Sequence, residues 1–288
     1  MGFFWDYIGR PSTSWDMVTT LRNVLLSVGW TEVYNNNTDT VVLKTAPYTP
    51  QRSDYDWGSA HLLLQAVSSY VNIQMGQGWD FDTNTLIPPT VGPRRLDYGY
   101  VTSYYYLYAN EFWFWLNPAR TDASIPGIPA YDSGYVSFAG VALPPRLVEN
   151  LNIHEIPPTK LVFLAAPYDT SGNLDAVGDI LRSSYADIHV PLYPPRLHQY
   201  LPELGVPSNL TGGMRAGWFS SPISSFFISN VVTTTRILSV SNFSDRGILP
   251  YSLVINTTSI AHFEFKIGSR KYVLLRGDSF GRLWARVS

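Results

Sequence analysis

The segment from Tyr104 to Trp115 constrains the fold more than any other. It carries Tyr104-Tyr105-Tyr106, Tyr108 and then Phe112-Trp113-Phe114-Trp115. Read as two strands around Ala109-Asn110-Glu111, it places aromatic side chains on both faces, because successive residues of a strand point to opposite sides. One face enters a core. The other has to pack on a further element or on a partner chain, since a bare aromatic sheet face aggregates. A ligand-stacking platform built on these rings is the functional alternative.

The remaining composition suits a core with interfaces. Hydrophobic residues make up 45% of the 288-residue chain and charged residues 15%, enough apolar material for a sizeable core and too little charge for a disordered chain. Tyr and Trp, at 19 and 9 copies, suit half-buried sheets and protein–protein contacts because each joins a large apolar body to a polar tip. The formal net charge of −2 comes without a basic stripe, which argues against nucleic-acid binding. Arg94-Arg95 and Arg270-Lys271 are isolated pairs and read as solvated surface charge, with Arg94 and Arg95 candidates for an interface. With no cysteine there is no disulfide framework and no thiolate metal site, which fits assembly in a reducing cytosol. The segment from Met1 to Asp6 lacks the basic region and apolar run of a signal peptide, and no apolar run reaches the length of a membrane span.

Along the chain, Met17, Val18, Leu21, Val24, Leu25 and Val28 fall on one face of a helix that Thr13 and Asp16 can cap and Gly29 can end. Residues 30–34 and 40–45 predict a hairpin around Asn35-Asn36-Asn37. Residues 61–68 and 70–75 read as extended, with Val71, Ile73 and Met75 on one face and Tyr70, Asn72 and Gln74 on the other. Residues 80–95 read as a polar, proline-bearing loop. Further strands are expected at 135–141 and 160–166, a short helix at 174–182, and an extended proline-rich arm at 191–217. Strands return at 226–232, 235–240, 252–256, 261–267, 271–275 and 282–287, with a hairpin turn at Gly268-Ser269. The fold expected is α+β and mainly β. An N-terminal helix packs on an antiparallel sheet, and a second β-rich half with extended loops follows. The proline pair Pro144-Pro145 suggests a division into 1–141 and 142–288, with one large domain the alternative.

No catalytic, cofactor or metal site emerges. The histidines at 61, 154, 189, 198 and 262 lack the helical i, i+4 partner of a metal motif. Gly277-Asp278-Ser279 is similar to the nucleophile block of one esterase class, but only nine residues follow Ser279 and the required Asp-x-x-His is missing, so a tight turn explains it. The alternating oxygens of Asp169, Ser171, Asn173 and Asp175 lack the Gly and the bidentate Glu of a calcium loop. The carboxylate pairs Asp54/Asp56 and Asp80/Asp82 sit in expected loops.

The order of elements carries a resemblance. The opening helix ends in Val28-Gly29-Trp30-Thr31. Val41-Val42-Leu43, Tyr106-Leu107-Tyr108-Ala109-Asn110 and Tyr135-Val136-Ser137-Phe138-Ala139-Gly140 follow in turn. Tyr193-Pro194-Pro195 comes next, and the closing hairpin runs from Ile267 to Leu275. This succession, over most of the chain, resembles virion structural proteins of tailed bacteriophages of the neck or tail type. The resemblance implies a non-enzymatic subunit of the virion, assembled in the host cytoplasm. Such a subunit forms a ring at a head–tail connection, a tail terminator or an adaptor, and contacts itself and other virion proteins. It needs neither a cofactor, a membrane nor sequence-specific nucleic acid. The candidate interface is then Tyr104, Tyr106, Tyr108, Trp113, Trp115, Arg94, Arg95, Tyr193, Pro194, Pro195 and Trp218, with residues 80–95 and 191–217 as contact arms. The alternatives are a carbohydrate- or receptor-binding tail component that uses exposed aromatics, and a hydrolase with an unrecognised site.

Overall fold

The structure, a computed structural model, describes residues 2–47, 59–88, 90–96, 104–119, 137–142, 161–165, 180–183, 189–191, 232–238, 245–255, 264–278 and 281–288. Their architecture is mainly β, with one helix packed against antiparallel sheets.

After β1 (Phe3–Gly9) comes α1 (Ser14–Ser27). The Thr13 hydroxyl accepts the Asp16 N–H at 3.0 Å, and the Asp16 carboxylate accepts the Thr13 N–H at 3.0 Å. This capping box satisfies two of the donors every helix start leaves open. Met17, Val18, Leu21 and Leu25 are buried, the stripe the spacing predicts. Gly29, at φ +110°, turns the chain out of the helix where a side chain would be strained. β2 (Thr31–Asn35) and β3 (Thr40–Lys44) then form the asparagine hairpin. Its turn is tied by the Asn36 side-chain oxygen, which accepts the N–H groups of Thr38, Asp39 and Thr40 at 3.0, 3.0 and 2.9 Å.

β4 (His61–Val67) and β5 (Tyr70–Gly76) continue that sheet. Residues 80–95 depart from the expected loop. β6 (Gly78–Asp80) and β7 (Thr85–Ile87) make a small hairpin, and β8 (Val91–Leu96) returns beside β5, giving a five-stranded order β2-β3-β4-β5-β8. Gly92 and Pro93 do not break β8. They sit where the β5–β8 register shifts, between Ile73 and Met75, on the sheet's edge strand. A Cβ at Gly92 would lie 2.8 Å from Leu164 Cδ2 and 2.9 Å from the Ile73 carbonyl oxygen, so the bulge also lets the next layer approach.

β9 (Tyr104–Asn110) and β10 (Trp113–Ala119) are the two aromatic strands. β11 (Ser137–Ala142), β12 (Leu161–Ala165), β13 (Ile180–Ser183) and β14 (His189–Pro191) extend them into a seven-stranded antiparallel sheet, with β1 on the far edge. The short helix expected at 174–182 is corrected at its end: residues 180–183 are a strand paired with β12 and β14. Short apolar runs do not separate the two periodicities, and pairing partners decide between them. This sheet continues across residue 142. The chain closes with β15 (Val232–Leu238), β16 (Asp245–Ile255), β17 (Glu264–Ile267), β18 (Arg270–Asp278) and β19 (Gly281–Arg286), a second five-stranded sheet in the order β15-β16-β19-β18-β17. Gly268, at φ +60°, makes the β17–β18 turn. The strand expected at 226–231, the arm at 192–217 and the segment from Asp169 to Asp175 lie outside the described residues.

The seven-stranded sheet is the middle of three layers. Register puts Phe4, Ala109, Phe114, Ala139 and Leu164 in one row on one face. That face meets α1 and the inner side of the N-terminal five-stranded sheet, with Val41, Leu43, Leu62, Leu64, Val71, Ile73 and Met75 buried in the same core. The other face carries Phe3, Trp5, Tyr108, Trp113 and Trp115, and the C-terminal sheet lies over it, contributing Leu249, Val273, Leu275 and Ala285 to the core.

Candidate assembly interface

The aromatic hairpin owes its burial to this third layer. Trp113 and Trp115 are buried, as are Tyr106 and Tyr108. The Trp113 indole N–H donates to the Pro250 carbonyl at 2.8 Å, and the Tyr108 hydroxyl donates to the Arg286 carbonyl at 2.9 Å. Tyr108 also accepts from Asn110 Nδ2 at 3.1 Å, while Asn110 Oδ1 accepts the N–H groups of Phe112 and Trp113 and so forms the hairpin turn. Desolvation by burial raises the Tyr108 phenol above its ordinary value, so it stays a neutral donor. Tyr251 closes the seam from the C-terminal side. Its ring meets Phe3 edge-on at 5.2 Å and stacks on Phe112 at 6.0 Å, and its hydroxyl donates to Glu111 Oε1 at 2.8 Å. Burial first, and then the bond to Glu111, raises the Tyr251 phenol. Tyr251 does this at φ +60°, a conformation uncommon for a bulky side chain that the surrounding contacts hold in place.

Of the two places open to the aromatic stretch, a core or an interface, the described residues occupy the core. The second aromatic face is covered by the chain's own C-terminal sheet, so Tyr106, Tyr108, Trp113 and Trp115 offer a partner or a sugar no exposed ring. Tyr104 pairs with Gly9 on β1. Gly140 shows how closely the strands pack there: a Cβ on it would lie 2.4 Å from Trp113 Cβ and 2.5 Å from the Phe112 carbonyl oxygen. Arg94 and Arg95 are not a solvated pair either. As neighbours on β8 they face opposite ways. Arg94 is 3% exposed beside Ile73, and the Arg95 guanidinium lies 4.3 Å from the Tyr70 ring centroid. Tyr193, Pro194, Pro195 and Trp218 lie outside the described residues.

The polar motifs resolve into local structure. Asp80 Oδ1 accepts the N–H groups of Asp82 and Thr83 at 2.8 and 3.3 Å, which lowers the Asp80 carboxyl below its usual range and shapes the β6–β7 turn. Asp278 ends β18 opposite Gly281. His61 and His189 stand on strands of different sheets, and among the described residues no three His, Cys, Asp or Glu side chains gather as a metal site would need. No helix among them is long and apolar enough to cross a membrane.

Two of the large apolar side chains that face outward, Phe81 and Ile87, stand in the expected contact arm 80–95, while Tyr7 and Ile267 were not among the expected contact residues. Tyr7 is 56% exposed, Phe81 64%, Ile87 44% and Ile267 45%. Two of these stand on the β6–β7 hairpin. On its inner side Trp79 and Leu86 bury against Val42, with Tyr34, Val33 and Leu63 around them, and the Trp79 and Tyr34 rings lie 5.5 Å apart. A Cβ at Gly76 would come within 2.9 Å of Leu86 Cβ, so glycine lets the hairpin lie flat on the sheet. Phe81 at the turn and Ile87 on the outer side are left in solvent. The β17–β18 hairpin exposes Ile267 together with Lys266 and Arg270, while Lys271 pairs with Glu264 at 2.8 Å. On the edge strand β1, Tyr7 leans on Tyr106 at 4.4 Å and Trp5 stacks on Tyr106 at 5.7 Å. The signal available in sequence was Phe81 between two aspartates, a bulky apolar residue inside a polar turn.

Neither a family model, nor a curated protein, nor a solved structure matches the chain.

Proposed function

We propose that the protein is a non-enzymatic structural subunit of a tailed-phage virion, placed in the neck or tail and self-associating into a ring. The observation that carries the assembly role is the position of the exposed apolar side chains. Phe81 and Ile87 project from a hairpin whose other side is seated on the sheet by Trp79 and Leu86, and Ile267 projects from a second hairpin. Side chains presented on rigid, preordered hairpins lose little further entropy when a partner covers them. The three-layer core behind them resists deformation, which a ring subunit needs if its contacts are to close by rotation. The virion setting rests on the resemblance in the order of sequence patterns. Sedimentation and negative-stain microscopy of the purified chain test the reading: closed rings are expected, and a monomer at every concentration would sink it.

A second reading has its own observation. Tyr7, tilted against the Tyr106 ring on which Trp5 stacks at the edge of the middle sheet, is an exposed aromatic surface on which a sugar face could stack. Saturable binding on a glycan array, lost in Tyr7→Ala, would favour a carbohydrate-binding component.

A further inference from the structure

The two exposed hairpins match each other. The β6–β7 hairpin carries Asp80 and Asp82 on either side of the exposed Phe81 and has no cationic residue between 78 and 87. At its turn end, residues 264–271, the β17–β18 hairpin carries Lys266, Arg270 and Lys271 around the exposed Ile267, against the carboxylate of Glu264, which pairs with Lys271. One is an apolar knob in an acidic frame and the other an apolar knob in a basic frame. The N–H groups of Asp82 and Thr83 and the Thr83 hydroxyl hold the Asp80 carboxyl below its usual range, which keeps its charge on the hairpin.

Their places in the fold determine whether they can meet within one chain. β6–β7 lies on the outer side of the N-terminal five-stranded sheet, against Val42 and Leu63. β17–β18 belongs to the C-terminal sheet, on the opposite face of the middle layer. Two sheet-to-sheet spacings, roughly 20 Å, separate those outer layers. Both knobs are exposed in the single chain.

We propose that the β6–β7 hairpin of one copy docks on the β17–β18 hairpin of a second copy. The inference rests on the assembly reading above and names its contact. Because the patches differ, the contact is heterologous, and repeated copies close into a ring or run on as a filament. Burial of Phe81 and Ile267 supplies the apolar centre. The opposed charges set the register and speed the encounter, so association weakens as salt screens them.

The test is sedimentation of the full chain over a concentration series, at low and high salt. Phe81→Ser is expected to raise the self-association constant for dissociation about tenfold, the size typical of a central aromatic contact. Asp82→Lys and Lys266→Glu are each expected to weaken association when studied alone. An equimolar mixture of the two is expected to associate again, because each variant hairpin then meets a complementary one. Circular dichroism of each variant checks that the fold is intact. If the wild type associates and Phe81→Ser, Asp82→Lys and Lys266→Glu all associate as tightly, the hairpin pairing is wrong and the assembly reading stands. The pairing is equally overturned if the mixture stays dissociated. If the wild type itself stays monomeric, the assembly reading falls and the pairing falls with it.

Discussion

Two aromatic hairpins in this chain meet opposite fates. β9–β10 has large rings on both sides and is buried on both, while β6–β7 buries Trp79 on one side and leaves Phe81 and Ile87 in solvent. Residue type does not separate them, since each presents aromatic and aliphatic side chains on two faces. Coverage does. The middle sheet is roofed by residues far along the chain, with Trp113 bonded to Pro250 and Tyr108 bonded to Arg286. The β6–β7 hairpin rests on strands close in sequence, and its Trp79 indole N–H is buried without an acceptor among the described residues. A ring that bridges distant segments is a structural tie, and a ring left uncovered on a rigid hairpin is available for contact.

The largest expected effect tests the tie. Trp113→Ala removes a fully buried ring, its contact with Tyr108 at 4.7 Å and the donor to Pro250. The loss should be about 3–5 kcal/mol of stability, as for other large-to-small changes at buried Trp. Urea unfolding measures it, and near-ultraviolet circular dichroism reports whether the C-terminal sheet stays docked. A midpoint shift no larger than that of a surface variant would remove the distinction between the hairpins.

The same contrast explains what the sequence conveyed. The opening helix was legible because its cap, its apolar stripe and its terminal glycine all agree, and the structure shows each of them at Thr13, Leu21 and Gly29. The asparagine hairpin and the β9–β10 hairpin were legible for the same reason, local chemistry pointing one way. The faces of β9–β10 were legible too, but their cover was not, because the residues that roof Trp113 lie more than a hundred positions later. β8 was hidden by Gly92 and Pro93, which in isolation mean a loop and here mark a bulge against Ile73 and Leu164. β1 was hidden because Phe3, Phe4 and Trp5 point to two faces and show no alternation of apolar and polar residues. The polar segment 80–95 was legible as a contact arm, and Phe81 between two aspartates is an odd residue in it, but exposure belongs to the folded surface and Asp80-Phe81-Asp82 alone does not tell which way the ring points.

A smaller effect is expected at the seat of the outer hairpin. Trp79→Ala empties a cluster of only a few residues, Val42 and Leu86 with Tyr34 and Leu63 beside them. A site so near the surface can collapse, so the loss should sit at about 2 kcal/mol, the low end for such truncations. It should appear as faster amide exchange across residues 78–87 while the middle sheet keeps its protection. Trp79→Phe keeps a ring and deletes the N–H that has no acceptor among the described residues, and it should stay within about 1 kcal/mol of the wild type. Equal loss of protection in both sheets would show that the hairpin is part of the core after all.

The smallest effect on stability is expected where the largest effect on association is. The Phe81 ring is mostly in solvent, and the backbone under it is fixed by other residues: Asp80 accepts two turn N–H groups, and Asn84 takes the left-handed conformation at φ +52°. Phe81→Ser therefore removes little that the folded chain uses, and its unfolding free energy should lie within about 0.5 kcal/mol of the wild type. The comparison belongs near neutral pH. The Asp80 carboxyl is lower in the folded chain than in the unfolded one, so its contribution is full above the unfolded value, near the ordinary 3.8, and is lost as pH falls through the folded value. Thermal melts of the two proteins at pH 7 decide the matter. Coincident melts together with weakened self-association would assign Phe81 to the contact between copies. A large loss of stability would place Phe81 in the fold, and the two hairpins would then differ in degree and not in kind.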